Sequence, residues 1–225
     1  EAWDDVNGGW LDPAKVREAR DTEIGWVHKQ KCYGIVPRQM CFDETGKPPI
    51  PLGWIDTNKG DEDKVDYRSR LVVREIKMDS RLDLFSATPP LETMKLLIAK
   101  CAKGQARKHP LRLATIDIKR AYFYAPVRRD VYVELPPEDW QPGDEAMCGK
   151  LRVSLYGTRD AASNWQEEVA KVMRRLGFSQ GRYNPCTYFN AARGLKVLVH
   201  GDDFVAVGPR SEAKWMEEEL KKLFE

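Results

Sequence analysis

Histidine is scarce in this sequence, and its cysteines show no paired spacing. Three histidines are too few for a His-rich metal cluster. The five cysteines are odd in number, widely separated and never in a C-x-x-C motif. This pattern argues against a disulfide framework and against a zinc site, and it favours a reducing compartment. Neither serine nor cysteine lies in the sharp-turn motif of hydrolase nucleophiles, so a hydrolytic triad is poorly supported.

Long hydrophobic runs are also missing. No apolar stretch comes near the roughly 20 residues that a membrane-spanning helix needs, and no basic segment followed by an apolar one marks a secretory leader. We therefore expect no membrane contact and no secretion. With 225 residues, 42% hydrophobic and 32% charged, the composition is that of a globular chain with its own core. Because the sequence starts without methionine, we expect it to be part of a longer protein.

Charge is distributed unevenly along the chain. Residues 64–129 hold 16 of the 37 basic side chains but only 6 of the 35 acidic ones. A basic middle third between acidic flanks is a candidate surface for phosphates. A solvated face with surplus lysine is the alternative. Arginines at 68–74 and near residue 117 favour the phosphate interpretation, because arginine binds phosphate with two parallel hydrogen bonds.

Two adjacent aspartates, Asp202 and Asp203, interrupt an apolar run at residues 197–207 (VLVHGDDFVAV). The β-branched composition predicts a strand, or two strands folded back on each other. Aspartate is disfavoured inside a strand, and Gly201 permits the positive φ of a tight turn. The sequence therefore predicts a hairpin with its tip at residues 200–203. An ordinary Gly-Asp turn without a chemical role explains these residues equally well at this point.

A second apolar strand carries a single carboxylate. Residues 113–118 (LATIDI) surround Asp117 with aliphatic side chains. Asp117 alone would be explained by an arginine partner, but two apolar strands that deliver aspartates to one point suggest a divalent-metal site. Mg²⁺ takes few protein carboxylates and completes its coordination with water and substrate phosphates. Two such ions stabilise the attacking and leaving oxygens of a phosphoryl displacement.

An antiparallel strand pair is predicted upstream of Asp117. Polar residues 58–66 form its tip, and residues 67–76 form the returning strand. Arg68, Arg70 and Arg74 share one face of that strand because side chains alternate. Such a flap suits the binding of a triphosphate. Charges that protect an edge strand from aggregation are the alternative.

Five short segments follow one another in an order typical of one family. They are residues 67–74 (YRSRLVVR), 85–91 (FSATPPL), 116–123 (IDIKRAYF), 150–161 (KLRVSLYGTRDA) and 199–203 (VHGDD). In that order they resemble the nucleotide-covering basic segment, the segment that follows it, the first catalytic motif, the Leu-Tyr-Gly motif and the double-aspartate motif. The family is the reverse transcriptase of copia-type long-terminal-repeat retrotransposons. Each segment is weak alone, and the shared order makes the resemblance specific.

The resemblance implies an α+β fold with reverse-transcriptase-like fingers and palm, in which an antiparallel sheet packs on helices. Residues 1–30 are expected to form a lead-in, irregular up to residue 11, and a helix with Asp12 as its N-cap and Pro13 at its first position. Residues 31–110 are expected to form a fingers-like basic region with a core helix at 91–106. Residues 111–225 are expected to form a palm with the catalytic motifs, truncated before the thumb.

The same resemblance implies roles for individual residues. The catalytic, metal-binding carboxylates are Asp117, Asp202 and Asp203, which would hold two Mg²⁺ ions, with Mn²⁺ as a substitute. The residues expected to bind the nucleotide are Arg68, Arg70, Arg74, Ile118 and Tyr122. The residues expected to contact template or primer are Tyr156, Gly157, His200 and Gly201. Tyr122 stands where the family has a steric gate against a 2′-hydroxyl, and a core aromatic is the alternative.

The implied activity is that of an RNA-directed DNA polymerase, which transfers deoxynucleotides (dNTPs) to a primer 3′-hydroxyl on an RNA or DNA template. The implied partners are primer–template, dNTPs and the other domains of a Pol polyprotein, namely thumb, RNase H and integrase. The expected location is the cytoplasm, in a virus-like particle, or the nucleus.

Four residues depart from the family pattern. His200 and Gly201 replace a tyrosine and a bulky residue, and Asp160 and Ala162 replace glutamine and proline. Gly-Asp-Asp is typical of viral RNA-dependent RNA polymerases, so that class stays an alternative, although Tyr122 favours DNA synthesis. A catalytically decayed relic that only binds nucleic acid is the third interpretation.

Overall fold

The computed structural model describes residues 2–61, 63–76, 84–106 and 110–225. The α-helices in these ranges are α1 (Pro13–Lys29), α2 (Arg38–Thr45), α3 (Leu91–Lys103), α4 (Ala161–Arg175) and α5 (Arg210–Lys221). The strands are β1 (Ala2–Trp3), β2 (Trp10–Leu11), β3 (Tyr33–Pro37), β4 (Leu52–Asn58), β5 (Tyr67–Val73), β6 (Leu111–Asp117), β7 (Tyr132–Val133), β8 (Met147–Leu151), β9 (Ser179–Gln180), β10 (Thr187–Asn190), β11 (Leu195–His200) and β12 (Asp203–Pro209). These strands pair antiparallel, which confirms the predicted mixture of helices and antiparallel sheets. None of the described helices has both the length and the apolar composition that crossing a bilayer requires.

Contacts divide the chain into two compact units. The first unit comprises Glu1–Asp83 and Tyr122–Asn164, and the second comprises Leu84–Ala121 and Trp165–Glu225. Each unit is assembled from two separate stretches of chain, whereas the expected regions 31–110 and 111–225 are continuous. The assignment of fingers and palm stays a prediction. Within 31–110, residues 62, 77–83 and 107–109 lie outside the described residues.

Helix α1 of the first unit begins where the sequence predicts. The Asp12 carboxylate accepts a hydrogen bond from the Ala14 N–H at 2.9 Å, and Pro13 occupies the first turn. The helix buries Val16, Ile24 and Val27 along one side. Its N-terminal signals are local in sequence, which explains why they could be identified without the fold.

The segment before α1 is not irregular, contrary to expectation. Strands β1 and β2 pair as a short hairpin with Trp3 opposite Trp10. Asp4 stabilises this arrangement, because its carboxylate accepts hydrogen bonds from the main-chain N–H groups of Asn7 and Asn58 at 2.7 and 2.9 Å. These bonds favour the ionised form and lower the pKa of Asp4. The partner at residue 58 is distant in sequence, so the composition of residues 1–11 gives no sign of this hairpin.

The first unit also contains the predicted antiparallel pair. Strands β4 and β5 pair from Leu52↔Val73 to Asn58↔Tyr67, with the polar tip between them. Strands β3, β8 and β7 form a three-stranded sheet in that order. The core of the unit consists of Ile24, Val27, Cys32, Tyr33, Leu71, Val73, Phe123, Val131, Val133, Leu135, Leu151 and Leu155.

The second unit is built on a five-stranded sheet. Its strand order is β6-β12-β11-β10-β9. Helix α3 packs on one face of this sheet, where Leu97 lies with Leu198, Val205 and Val207. Side chains alternate along β12, so Phe204 and its neighbours of the same parity point to the other face. Both faces of the central strands are buried, which explains their continuous apolar sequence.

Helix α3 differs from the expected core helix at 91–106. The α-helix ends at Lys103, and Gly104–Ala106 continue it as a 3₁₀ turn. Leu97 is its buried residue, whereas Leu91, Leu96 and Ile98 are 64%, 58% and 51% exposed. Apolar side chains lie on all sides of this helix, but a helix that packs on a sheet can bury only one of its sides. The prediction of a helix is confirmed, and the prediction that it belongs to the core is wrong for most of its surface.

Strand β5 is also joined to the segment that follows β8. The Val73 N–H donates to the Tyr156 carbonyl oxygen at 2.7 Å, and Val72 bridges Tyr156 in parallel. Gly157 comes next with φ +83°, and a Cβ on this residue would lie 2.1 Å from the Val73 carbonyl oxygen. Glycine is therefore required here both by the left-handed conformation and by the close approach of two main chains.

We expect Gly157→Ala to lower the free energy of unfolding by about 2–3 kcal/mol, because alanine adds backbone strain and a clash with β5. Urea denaturation followed by circular dichroism measures this change. Gly25→Ala in α1 is the matched control, because a Cβ there meets nothing within 4 Å. The control should gain up to about 1 kcal/mol from helix propensity. Unchanged stability of Gly157→Ala would contradict the close approach.

Candidate active site

Strand pairing in the second unit brings three aspartates together. Strand β6 ends at Asp117, β12 begins at Asp203, and these two residues are direct partners across the sheet. Asp202 lies in the turn that joins β11 to β12. One carboxylate oxygen from each of the three aspartates lies within 4.8 Å of the others, and all three residues are exposed. The two predicted strands therefore deliver their carboxylates to one point.

The turn that carries Asp202 has two residues. His200 and Asp203 pair as the last residues of β11 and β12, which leaves Gly201 and Asp202 as the tip. Gly201 has φ +61°, a conformation that side chains with a Cβ rarely adopt. The predicted hairpin tip at residues 200–203 is confirmed. This conformation is by itself a sufficient reason for a glycine at position 201.

Both carbonyl groups of the turn have donors from other parts of the second unit. The Ile118 main-chain N–H donates to the Asp202 carbonyl oxygen at 3.1 Å. The indole N–H of Trp165 donates to the Gly201 carbonyl oxygen at 2.7 Å. The side chain of Ile118 is buried. The structure thus places Ile118 beside the aspartates, where its main chain supports the turn.

The electrostatics of the cluster are unfavourable without a counterion. Partial burial, together with the charges of Asp202 and Asp117, raises the pKa of Asp203. Three exposed carboxylates within this distance fit a hard divalent cation, which prefers oxygen ligands and offsets their repulsion. Among the residues that the structure describes, no other group of three or more His, Cys, Asp or Glu side chains lies close enough to share an ion.

The three arginines expected to bind the nucleotide lie in the first unit. Arg68 and Arg70 are exposed and alternate with the buried Ser69 and Leu71 on β5. Arg68 pairs with Asp66 at 2.8 Å, an exposed ion pair of little energetic weight. Arg74 is also exposed and follows the last residue of β5. Arg68 and Arg70 therefore share one strand face as predicted, and Arg74 lies just beyond the strand.

An aromatic cluster in the same unit joins three of the predicted site residues. The guanidinium of Arg70 lies 5.1 Å from the ring centroid of Tyr156. The Tyr156 ring in turn contacts the Tyr122 ring edge to face, with centroids 5.3 Å apart. Tyr122 is half-buried and is therefore not a fully buried core aromatic. The structure brings Arg70, Tyr156 and Tyr122 together, and it places Asp117, Asp202, Asp203, His200 and Gly201 in the other unit.

The departure at Asp160 has a structural explanation. Asp160 is buried and pairs with Arg129 at 3.0 Å, and Arg129 also pairs with Glu75 at 2.6 Å. Burial alone would raise the pKa of Asp160, but the hydrogen bond and charge of Arg129 outweigh it and lower the pKa. The carboxylate thus completes an ion-pair network within the first unit.

Two supporting residues were not identified from the sequence. Trp165 has the spacing of an apolar helix position, which indicates burial and gives no sign of its hydrogen bond to Gly201. Arg129 has no sequence signal beyond its place in the basic middle third. Their partners lie about 30 to 50 residues away in the chain, so no local pattern could have found either contact.

Comparison with known proteins agrees with the motifs. Residues 39–225 match the family model described as reverse transcriptase (RNA-dependent DNA polymerase). A retrovirus-related Pol polyprotein from transposon TNT 1-94 of Nicotiana tabacum is 26% identical over 199 residues, which cover 86% of this chain and 14% of the relative. The Pol polyprotein from transposon RE1 of Arabidopsis thaliana is 26% identical over 208 residues, which cover 88% of this chain and 13% of the relative.

A third relative, the transposon Ty1-MR1 Gag-Pol polyprotein of Saccharomyces cerevisiae, is 28% identical over 94 residues, covering 41% of this chain and 5% of the relative. The chain thus spans about a seventh of the plant relatives. The resemblance to retrotransposon enzymes is confirmed. Because the family model matches most of the chain, this protein belongs to the family of reverse transcriptases, the RNA-dependent DNA polymerases.

Proposed function

We propose that this chain provides the fingers and palm of the reverse transcriptase in a retrotransposon Pol polyprotein. The observation that carries the proposal is the convergence of Asp117, Asp202 and Asp203 within 4.8 Å. Family membership supplies the reaction class, an RNA-directed transfer of dNTPs to a primer 3′-hydroxyl. In this proposal the second unit holds the catalytic carboxylates and β5 of the first unit belongs to the fingers.

The three carboxylates would hold two Mg²⁺ ions, for which Mn²⁺ is a substitute. When bound, such ions stabilise the attacking and leaving oxygens of the phosphoryl displacement. Asp117 and Asp202 are the proposed direct ligands, and Asp203 is the third carboxylate. Exposure of all three leaves room for water and substrate phosphates, which Mg²⁺ retains among its ligands.

The first unit would bind the incoming nucleotide. Arg68 and Arg70, with Arg74 beside them, are proposed to contact the triphosphate. The Arg70 guanidinium lies over the Tyr156 ring. Its planar fork of N–H donors matches the oxygens of a phosphate group. Tyr122 is proposed to exclude the 2′-hydroxyl, with Tyr156 holding its ring in place.

The remaining assignments follow from the family. Tyr156 and Gly157 are proposed to contact the template, and His200 and Gly201 the primer, while Ile118 lies next to the nucleotide. The proposed partners are an RNA or DNA template with its primer, dNTPs and the thumb, RNase H and integrase domains of the polyprotein. A location in a cytoplasmic virus-like particle or in the nucleus stays a prediction.

We expect labelled dTTP to be incorporated on an oligo(dT)–poly(rA) duplex when Mg²⁺ or Mn²⁺ is present. Asp202→Asn should lower incorporation by about 10³-fold, because it removes a metal ligand from the reacting centre. Asp21→Asn, an exposed carboxylate of α1, is the matched control. Absence of extension, even with a longer piece of the polyprotein that includes the thumb, would favour a decayed relic.

Tyr122→Ala is expected to reduce the preference for deoxynucleotides over ribonucleotides by about 10- to 100-fold, because a bulky pocket wall is removed. The ratio of kcat/KM for the two nucleotides measures this preference. Tyr183→Ala is the control, since that ring is 93% exposed. A wild-type protein that accepts ribonucleotides as readily as deoxynucleotides would instead support an RNA-dependent RNA polymerase.

Asp203→Asn is expected to raise the free energy of unfolding in EDTA by about 0.5 kcal/mol. The pKa of Asp203 is raised on folding, so its ionised form opposes folding at neutral pH. The gain is small because solvent screens these charges. The same variant should lose most of the rise in Tm that Mn²⁺ gives the wild type, and Asp21→Asn should lose none. A full Mn²⁺ response in Asp203→Asn would argue against this metal site.

A further inference from the structure

Trp165 connects helix α4 to the turn between the two aspartate-bearing strands. Its side chain is 2% exposed, and its indole N–H donates to the Gly201 carbonyl oxygen at 2.7 Å. Gly201 itself is exposed, so water can reach this turn. A buried donor that contacts an exposed carbonyl group is a tertiary restraint on the turn, added to the pairing of β11 with β12.

The orientation of the indole is set by the packing of the second unit. The Trp165 ring contacts the Phe224 ring edge to face, with centroids 5.2 Å apart. Further along α4, Val169, Val172 and Met173 are buried and hold the helix in place. The N–H group therefore has a fixed direction before any ligand binds, since neighbouring side chains in a packed core restrict its rotamer.

The Gly201 carbonyl group controls where Asp202 lies. This carbonyl group, the Asp202 N–H and the Asp202 Cα belong to one planar peptide unit. A hydrogen bond that fixes the oxygen therefore also fixes the position of the Asp202 Cα. Glycine permits many conformations, and the turn would otherwise be free to rotate at this peptide. The Ile118 N–H fixes the following carbonyl, that of Asp202. Together the two bonds restrain both peptide units that flank the Asp202 side chain.

We infer that Trp165 is a positioning residue for the carboxylate cluster, and that its indole N–H holds the Gly201–Asp202 turn in the conformation that binds divalent cations. The inference rests on the proposed function, because it assumes that the three aspartates bind such ions. Trp165 does not touch the carboxylates and acts through the main chain. Replacement of a residue that orients a metal ligand by a direct hydrogen bond typically lowers metal affinity by about 10- to 100-fold, and we expect an effect of this order for Trp165.

Trp165→Phe tests the inference, because it keeps an aromatic ring and removes the N–H. The probe is Mn²⁺ alone, with its free concentration followed by electron paramagnetic resonance and without nucleic acid. We expect the Kd for Mn²⁺ to rise about 10-fold or more. The Tm in EDTA should fall by only a few degrees, because water can solvate the exposed Gly201 carbonyl group when the indole donor is lost.

Trp54→Phe is the matched control. Within the part of the chain that the structure describes, the indole N–H of Trp54 has no hydrogen-bond partner. The same chemical change there should leave Mn²⁺ affinity unaltered. If Trp165→Phe does not fold, benzothienylalanine at position 165 replaces the N–H by sulfur in a ring of nearly the same shape, and its Mn²⁺ affinity decides the question.

Wild-type affinity in the Trp165 variants would overturn the inference while leaving the metal site intact. A different result identifies failure of the proposed function. If Asp202→Asn and the wild type bind Mn²⁺ equally, the aspartate cluster is not the metal site, and the inference fails with it. Weaker binding in Trp165→Phe, or in the benzothienylalanine variant that replaces it, with unchanged binding in Trp54→Phe, supports the positioning role.

Discussion

The pairing of β12 with β6 is the constraint on which the second unit depends. This register places Asp203 directly opposite Asp117, an arrangement of like charges that destabilises a sheet. The remaining pairs of the same two strands are mostly apolar, and Phe204, Val205 and Val207 are buried. Burial of these side chains offsets the repulsion at the strand ends. The fold can therefore hold three carboxylates together before any cation is bound.

In the first unit, a close main-chain contact between β5 and Tyr156 organises residues that are proposed to bind the nucleotide. Strand β5 displays Arg68 and Arg70 to solvent and also pairs with the main chain of Tyr156. Gly157 makes this approach possible because it has no Cβ. The contacts of the Tyr156 ring with Arg70 and Tyr122 lie in the same part of this unit. The segment with Tyr156 and Gly157 thus contacts both the arginine-bearing strand β5 and the ring of Tyr122.

Much of the local structure could be predicted from the sequence. The Asp12 cap of α1, the β4–β5 hairpin and the turn at Gly201 depend on residues close in the chain, and each is found. The N-terminal hairpin, the exposure of α3 and the division into two discontinuous units depend on distant partners, and the sequence did not reveal them. The aspartate cluster could be predicted because each of its apolar strands carries an unusual carboxylate. The role of Trp165 could not be predicted, since a buried tryptophan on an apolar helix face needs no functional explanation.

In the hairpin of β11 and β12, the buried residues that stabilise the fold and the exposed aspartates occupy different parts of one short segment. Residues 204–207 are buried on both faces of the sheet, whereas residues 200–203 are exposed at the tip. Truncating a buried apolar side chain in the stem would lower the free energy of unfolding. A carboxylate at the tip, in contrast, contributes little favourable energy and some repulsion. The stability of the fold gains nothing from two adjacent aspartates here beside a third on β6. Their convergence is the feature on which the proposed divalent-cation site rests.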